Sequence, residues 1–162
     1  MLLRDDPEGG AQAYLIQRHH RSGFVGGAYA FPGGKVDDVD RSSEDPSRAG
    51  AVRETEEEVG VTLDADDLVH VARWITPEAE PRRFDADFYV ARLPDGQEAK
   101  PSDRESLQGA WYRPEAALEA MRARDIFMAP PTLRSLEVLA DAPHVPGALA
   151  RARREDSPVI RP

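Results

Sequence analysis

Residues Arg53-Glu54-Thr55-Glu56-Glu57-Glu58-Val59-Gly60-Val61 place acidic side chains where a divalent cation could sit. The segment reads as a helix entered at Asp45-Pro46-Ser47, with Asp45 as N-cap and Pro46 at the first helical position, and ended by Gly60. At about 100° per residue, Glu54, Glu57 and Glu58 share one face. Val52, Thr55 and Val59 share the opposite face and are candidates for a core. Like charges on adjacent turns repel, so a helix gains no stability by collecting them. Hard cations such as Mg²⁺ favour carboxylate oxygens and keep waters and phosphate oxygens as further ligands. The plain alternative is a solvated acidic face. Against it stands the preceding run Phe31-Pro32-Gly33-Gly34-Lys35-Val36-Asp37. Paired glycines let a ligand or metal approach bare backbone, so this loop and the acidic helix together can present phosphate and metal to each other.

Taken together, the loop and helix resemble the box of the Nudix hydrolases, Gly-x5-Glu-x7-Arg-Glu-U-x-Glu-Glu-x-Gly-U, where U is apolar. Arg53, Glu54, Glu57, Glu58, Gly60 and Val61 match. Thr55 stands where an aliphatic residue is usual. The spacing upstream is longer than the pattern: Asp45 lies eight residues before Arg53, whereas Asp40 has the expected distance from Gly34. The loop Asp37–Glu44 therefore reads as an insertion of about five residues, and the acid at the isolated Glu position is left open.

Further segments resemble the coenzyme A diphosphatases of this superfamily, closest to their peroxisomal-type branch. Tyr14-Leu15-Ile16-Gln17-Arg18 and Gly27-Ala28-Tyr29-Ala30-Phe31-Pro32-Gly33-Gly34 are similar to their upstream element, although its second arginine falls on Gly23, with Arg21 nearby. Trp74-Ile75-Thr76-Pro77 and Arg82-Arg83-Phe84-Asp85 are similar to the same branch. Pro77 also falls sixteen residues after Val61, where ADP-ribose diphosphatases carry proline. The tyrosine of dinucleoside polyphosphate hydrolases is absent, with Glu78 and Ala79 in its place, and so is the longer motif of NADH diphosphatases.

The resemblance implies an α/β/α sandwich with a mixed β-sheet and metal-dependent hydrolysis of a diphosphate linkage in a nucleoside diphosphate derivative. Coenzyme A or acyl-coenzyme A is the preferred substrate, split to a phosphopantetheine and adenosine 3′,5′-bisphosphate. Glu54, Glu57, Glu58 and the Gly33 carbonyl would hold Mg²⁺ or Mn²⁺. Arg53 would orient a box glutamate. Its plainer reading is an i, i+4 partner of Glu57 worth a few tenths of a kcal/mol. The general base in such enzymes is either a box glutamate or an acid of a later loop, here Glu98, Asp103 or Glu105, with Glu105 preferred because it precedes a candidate strand. Gly33, Gly34, Arg18, Arg21, Arg82 and Arg83 are candidate phosphate contacts, arginine being suited to bidentate phosphate binding. ADP-ribose or a broader nucleotide range is the runner-up, and a non-catalytic ligand sensor on the same fold is the third reading.

Composition points to one domain. A chain of 162 residues, 40% hydrophobic and 31% charged, suits a single core. Net charge of −9 argues against a nucleic-acid polymer as partner, because such binders need a basic footprint. It leaves room for a small anionic substrate beside a cation. No apolar run approaches the ~18 residues a membrane span needs, and no secretory leader is recognised. With no cysteine, disulfides and thiolate metal sites are excluded, and a cytoplasmic location is expected. Oligomeric state is open, a homodimer included. His19-His20 has no third histidine at zinc-like spacing. Asp38-Val39-Asp40-Arg41-Ser42 fails as a calcium loop because Ser43 occupies the obligatory glycine position.

Strands are expected at Met1–Arg4, Ala11–Arg18, Tyr29–Phe31, Leu68–Trp74, Asp87–Leu93 and Ala110–Tyr112. Helices are expected at Asp45–Val59, Pro114–Arg124 and Thr132–Ala140, the last with Thr132 as N-cap. Residues 1–142 form the expected domain and 143–162 an extension, mobile or shortened, with Ser157–Pro162 reading as the start of an extended element.

Overall fold

A computed structural model describes residues 1–19, 26–78, 83–102, 106–140, 142–154 and 158–161, without the side chains of residues 106, 107 and 154. The elements run β1 (Leu2–Asp5), β2 (Ala11–Arg18), β3 (Tyr29–Ala30), α1 (Pro46–Val59), β4 (Val69–Ile75), β5 (Asp85–Arg92), β6 (Ser106–Tyr112), α2 (Pro114–Ala123), α3 (Pro130–Ala140), α4 (Val145–Arg154) and β7 (Val159–Ile160). The strands form one sheet in the order β3-β2-β1-β5-β4-β7, with β6 also paired to β2. The β1–β5 and β4–β7 pairs are parallel and the others antiparallel, so the sheet is mixed.

Strand β2 explains the layering. Its alternate side chains point to opposite faces, and both faces are covered, so apolar residues run nearly without interruption. Tyr14 and Ile16 pack with Val59 and Val61, at and beyond the end of α1. Ala13 and Leu15 face the other way, toward Leu118 of α2, Leu136 of α3 and Val145 of α4. The result is an α/β/α sandwich. Full burial of a side chain such as Val59 or Leu15 stabilises by about 1.5–3 kcal/mol. The half-exposed sequence character of α1 is thus offset by the apolar residues at its C-terminal end.

Most expected elements occur within two residues of their expected bounds, and β6 begins four residues earlier, at Ser106. Helix α3 begins at Pro130, so Thr132 is a buried residue inside the helix and not its N-cap. Pro130 and Pro131 fit there because the first helical turn needs no amide donors. Helix α4 lies within 143–162, where the sequence reading has only an extension. Pro146 falls in its first turn, where proline is tolerated, and the Asp5 carboxylate accepts from the Val145 amide at 2.9 Å. The described part of 143–162 is docked on the domain: Val145 and Ala148 are buried in the main core, and β7 pairs with β4. Among the described residues, no helix is long and apolar enough to cross a membrane.

Candidate active site

Helix α1 is built to present its acids at a defined angle. The Asp45 side chain accepts from the Arg48 amide at 3.0 Å, and Pro46 takes the first turn. Gly60 ends the helix with φ 68°, a left-handed conformation that glycine adopts without penalty. Arg48 donates to the carbonyls of Ala65 and Leu68, both at 2.6 Å, and lies over the Tyr89 ring. Ser47 donates to Asp87 at 2.8 Å, and the other oxygen of Asp87 meets His70 at 2.9 Å. These contacts pin the N-terminal half of α1 to β4 and β5.

The glycine loop sits against the middle of the same helix. Gly33 donates its amide to the Glu58 carboxylate at 2.7 Å. Glu58 is buried, at 3% exposure, although its position in the sequence groups it with an exposed acidic face. Gly34 is packed so closely under Glu54 that a Cβ there would lie 2.3 Å from the carboxylate carbon. Only glycine permits that approach.

Arg53 joins the acids. Its Nη1 lies 3.1 Å from Glu54 Oε1 and 3.1 Å from Glu57 Oε2. Its Nη2 donates to the Lys35 carbonyl at 2.8 Å and to Asp40 at 2.9 Å, and its Nε also points at Asp40. Asp40, rather than Asp45, is therefore the acid that meets Arg53. Hydrogen bonds from Arg53, then from the Asp37 amide, hold the Asp40 carboxyl below the usual carboxylate range. In return the bond to Asp40, followed by that to Glu54, holds the Arg53 guanidinium still more firmly protonated. The 3-10 turn Asp40–Ser42 carries this acid.

An open cleft of about 310 Å³ is lined by Arg18, Gly33, Gly34, Lys35, Asp37, Arg53, Glu54, Glu57 and Glu58. Arg18 reaches it from the end of β2, on the face that carries Tyr14 and Ile16. Its Nε is buried and has no hydrogen-bond partner among the described residues. Arg18, Gly33, Gly34, Arg53, Glu54, Glu57 and Glu58 thus meet at one place. Glu105, Asp103, Arg21 and Arg82 lie outside the described residues. Arg83 is exposed, next to the Thr76–Phe84 pairing that closes the β4–β5 connection. Glu98 pairs with Lys100 in solvent. Ser102 donates to the Glu58 carbonyl at 2.7 Å and Lys100 to the Val59 carbonyl at 3.0 Å, so the β5–β6 connection is tied to the end of α1. Lys35 and Asp37 in the cleft were not singled out from the sequence, where nothing but adjacency to the glycines marks them.

The donor set suits a hard cation: three carboxylates beside exposed backbone, with no sulfur or imidazole. Among the described residues, however, no group of three acidic or histidine side chains converges closely enough to hold an ion as placed. The carboxylates instead rest on Arg53 and on the Gly33 amide. The oxygens ring the cleft without closing a coordination shell. That pattern fits an ion completed by waters and substrate oxygens, as is usual for Mg²⁺.

The family model described as NUDIX domain matches residues 1–130. The chain belongs to the Nudix family. The C. elegans protein named "Putative nudix hydrolase 7" is 26% identical over 161 aligned residues, covering 78% of this chain and 55% of that protein. The Nudix chain described here thus spans about half the length of the curated relative it matches. Among solved structures, a Nudix hydrolase from Alicyclobacillus acidocaldarius superposes with TM-score 0.81 at 20% identity, covering 92% of both chains. An Ap4A hydrolase binary complex from C. elegans gives TM-score 0.53 at 21% identity, covering 84% of this chain and 91% of that one. At such identities the likeness speaks for the fold, here the mixed sheet and flanking helices of the Nudix domain.

Proposed function

We propose that this Nudix domain hydrolyses a diphosphate linkage in a nucleoside diphosphate derivative, using Mg²⁺ or Mn²⁺ held by Glu54, Glu57, Glu58 and the Gly33 carbonyl. The observation that carries this reading is the shared cleft, lined by Glu54, Glu57 and Glu58 together with the cations Arg18, Lys35 and Arg53. A guanidinium lining the same cleft suits bidentate binding of phosphate oxygens. The ion would supply charge neutralisation at the phosphoryl oxygens and acidify the attacking water.

The protein's own residues do the rest. Arg53 holds Glu54 and Glu57 in register, and Gly33 fixes Glu58. Arg18 binds a phosphate oxygen of the substrate. Glu105 takes the proton of the attacking water. Arg82 contacts the substrate beyond the diphosphate. Coenzyme A or its acyl esters is the preferred substrate, supported by the sequence around Arg18 and Gly27–Gly34. ADP-ribose is the second reading, favoured by Pro77. A small-molecule nucleotide partner also suits the acidic net charge of −9, which disfavours a polymer.

The test is product analysis by chromatography and mass spectrometry after incubation with Mn²⁺ or Mg²⁺. Substrates are coenzyme A, acetyl-coenzyme A, ADP-ribose, NADH and a dinucleoside polyphosphate. Adenosine 3′,5′-bisphosphate from the first two is expected, with Glu57→Gln slower by about 10²- to 10³-fold, as for loss of one electrostatic stabiliser. Turnover of ADP-ribose alone would transfer the assignment to that substrate. No turnover by a folded, metal-binding protein would favour the sensor reading.

A further inference from the structure

Strand β6 stands at the end of the sheet. It pairs with β2 from Tyr112 to Ser106, and among the described residues no strand pairs with its outer side. The alternation of an antiparallel pair decides which of its backbone groups are left over. Arg18 donates its amide to the Ala28 carbonyl and accepts from the Gly27 amide, both on the β3 side of β2. Gln17, Leu15 and Ala13 therefore turn their backbone groups toward β6, where Gln108, Ala110 and Tyr112 stand opposite them. Gly109 and Trp111 fall between these and point their N–H and C=O groups outward.

The other margins of the sheet are covered or short. The Tyr29 amide of β3 donates to the Phe127 carbonyl at 2.8 Å, so the α2–α3 connection lies along that strand. Strand β7 covers β4 and is only two residues long, and very short edge strands resist further pairing. Strand β6 has seven residues. Lysine, proline and charged side chains, which commonly protect an edge, are absent from Ser106–Tyr112 in a chain that is 31% charged. A register shift opposite Gln17 and Arg18 affects only its start. At its centre the edge is firmly held. A Cβ at Gly109 would lie 2.5 Å from the Tyr14 hydroxyl, and Trp111 packs edge-on against Tyr14 with Arg4 over its ring.

The occupant must be a strand with an outward backbone and no charge, and a second copy of β6 has both. Chains of net charge −9 repel one another, and the approach costs least at an uncharged edge. Exposed Gln108 and small, exposed Ala110 put no charge in the way. We infer that the protein forms a two-fold dimer by antiparallel pairing of β6 with β6 of a second copy, with Gly109 on the axis. The interface is isologous and joins the two sheets into one. Each Gly109 bonds the other through N–H and C=O, and Gln108 stands opposite Ala110 of the second copy. Because Ser106 lies opposite Arg18, the interface begins beside the cleft.

The test is sedimentation of the whole chain over a dilution series, followed by cross-linking. The wild type is expected at twice the 17.9 kDa of one chain. Ala110→Lys, at an exposed position, should sediment as the monomer with an unchanged thermal melt. The chain has no cysteine, so introduced ones report on the register. Gln108 and Ala110 of the second copy form a non-hydrogen-bonded pair with Cα atoms about 4.5 Å apart, within disulfide reach. Two copies of position 110, or of position 108, stand on a diagonal about 7–8 Å apart, beyond it. A mixture of Gln108→Cys and Ala110→Cys proteins should therefore yield a covalent dimer on oxidation, and neither should do so alone. A monomeric wild type, or a dimer that persists in Ala110→Lys, overturns the inference. So does a mixture that gives no covalent dimer, or a single variant that gives as much as the mixture.

Discussion

Gly34 shows how narrowly a single residue is constrained at this site. The Glu54 carboxylate occupies the space a side chain at position 34 would fill, 2.3 Å from an ideal Cβ. Gly34→Ala must therefore displace Glu54, a side chain already held by Arg53. An active-site misplacement of about 1 Å can cost ~10²-fold in rate. We expect Gly34→Ala to lower kcat by that order with little change in melting temperature, measured by steady-state kinetics and a thermal melt. An equal loss of stability and activity would mean that the loop, and not the position of Glu54, was disturbed. Glu58 carries a related lesson. Its helical phase groups it with Glu54 and Glu57, yet it is buried because the Gly33 amide comes to meet it. Periodicity assigns a face to a residue but does not say what loop will cover that face.

At the scale of elements, the local signals for α1 were strong and complete. An acid before Pro46 and a glycine after Val59 mark both ends, and the structure uses both. Asp45→Ala removes the N-cap bond to Arg48 and should destabilise the domain by about 1 kcal/mol. For a chain of this size that corresponds to a fall of roughly 2–4 °C in Tm, checked by calorimetry. Helix α4 was illegible for the opposite reason. Pro146 and Gly147 are breakers in isolation, and what stabilises the helix is burial of Val145 and Ala148 on β-sheet residues distant in sequence. Val145→Ala is expected to cost about 2 kcal/mol from lost burial and the residual cavity, read from the midpoint of urea unfolding. A change below about 0.5 kcal/mol would show that α4 adds little to the core. Thr132 is the corresponding case in α3: as a good capping residue it predicts the boundary there, but two prolines start the helix a turn earlier.

Across the whole molecule, paired carboxylates set the response to acid. Asp6 is held at about 2, first by its bond to Arg113 and then by the Glu8 amide. Asp40 and Asp85 are lowered by Arg53 and Arg73 respectively. A carboxyl whose folded value lies below its unfolded value near 3.8 binds fewer protons when folded. Its contribution is therefore fully present above about pH 4 and is lost as pH falls toward the folded value. The melting temperature should be flat with respect to these groups from neutral pH down to about 5, then fall steadily through about 4 to 2. Asp6→Asn should lower the neutral-pH melting temperature and make the acid-side decline shallower. A decline of the same slope in that variant would mean that other groups carry the acid sensitivity.

Much of the candidate site's make-up was readable because it depends on residue type and near spacing. The acids of α1, Arg53, the paired glycines and both helix caps lie within one stretch, 33–60, where chain connectivity alone limits their separation. The same holds for the β1–β2 turn and for the run of apolar residues in β2 that requires cover on two faces. Tertiary structure decided what spacing leaves open. It chose Asp40 over Asp45 as the partner of Arg53, because the loop folds back and Asp45 is occupied in capping α1. It buried Glu58, brought Arg18 from β2 into the cleft that the acids line, and docked α4 and β7 on the sheet. Each of these depends on contacts between segments far apart in the chain. Their free energy comes from burial and pairing that exist only after the sheet has formed.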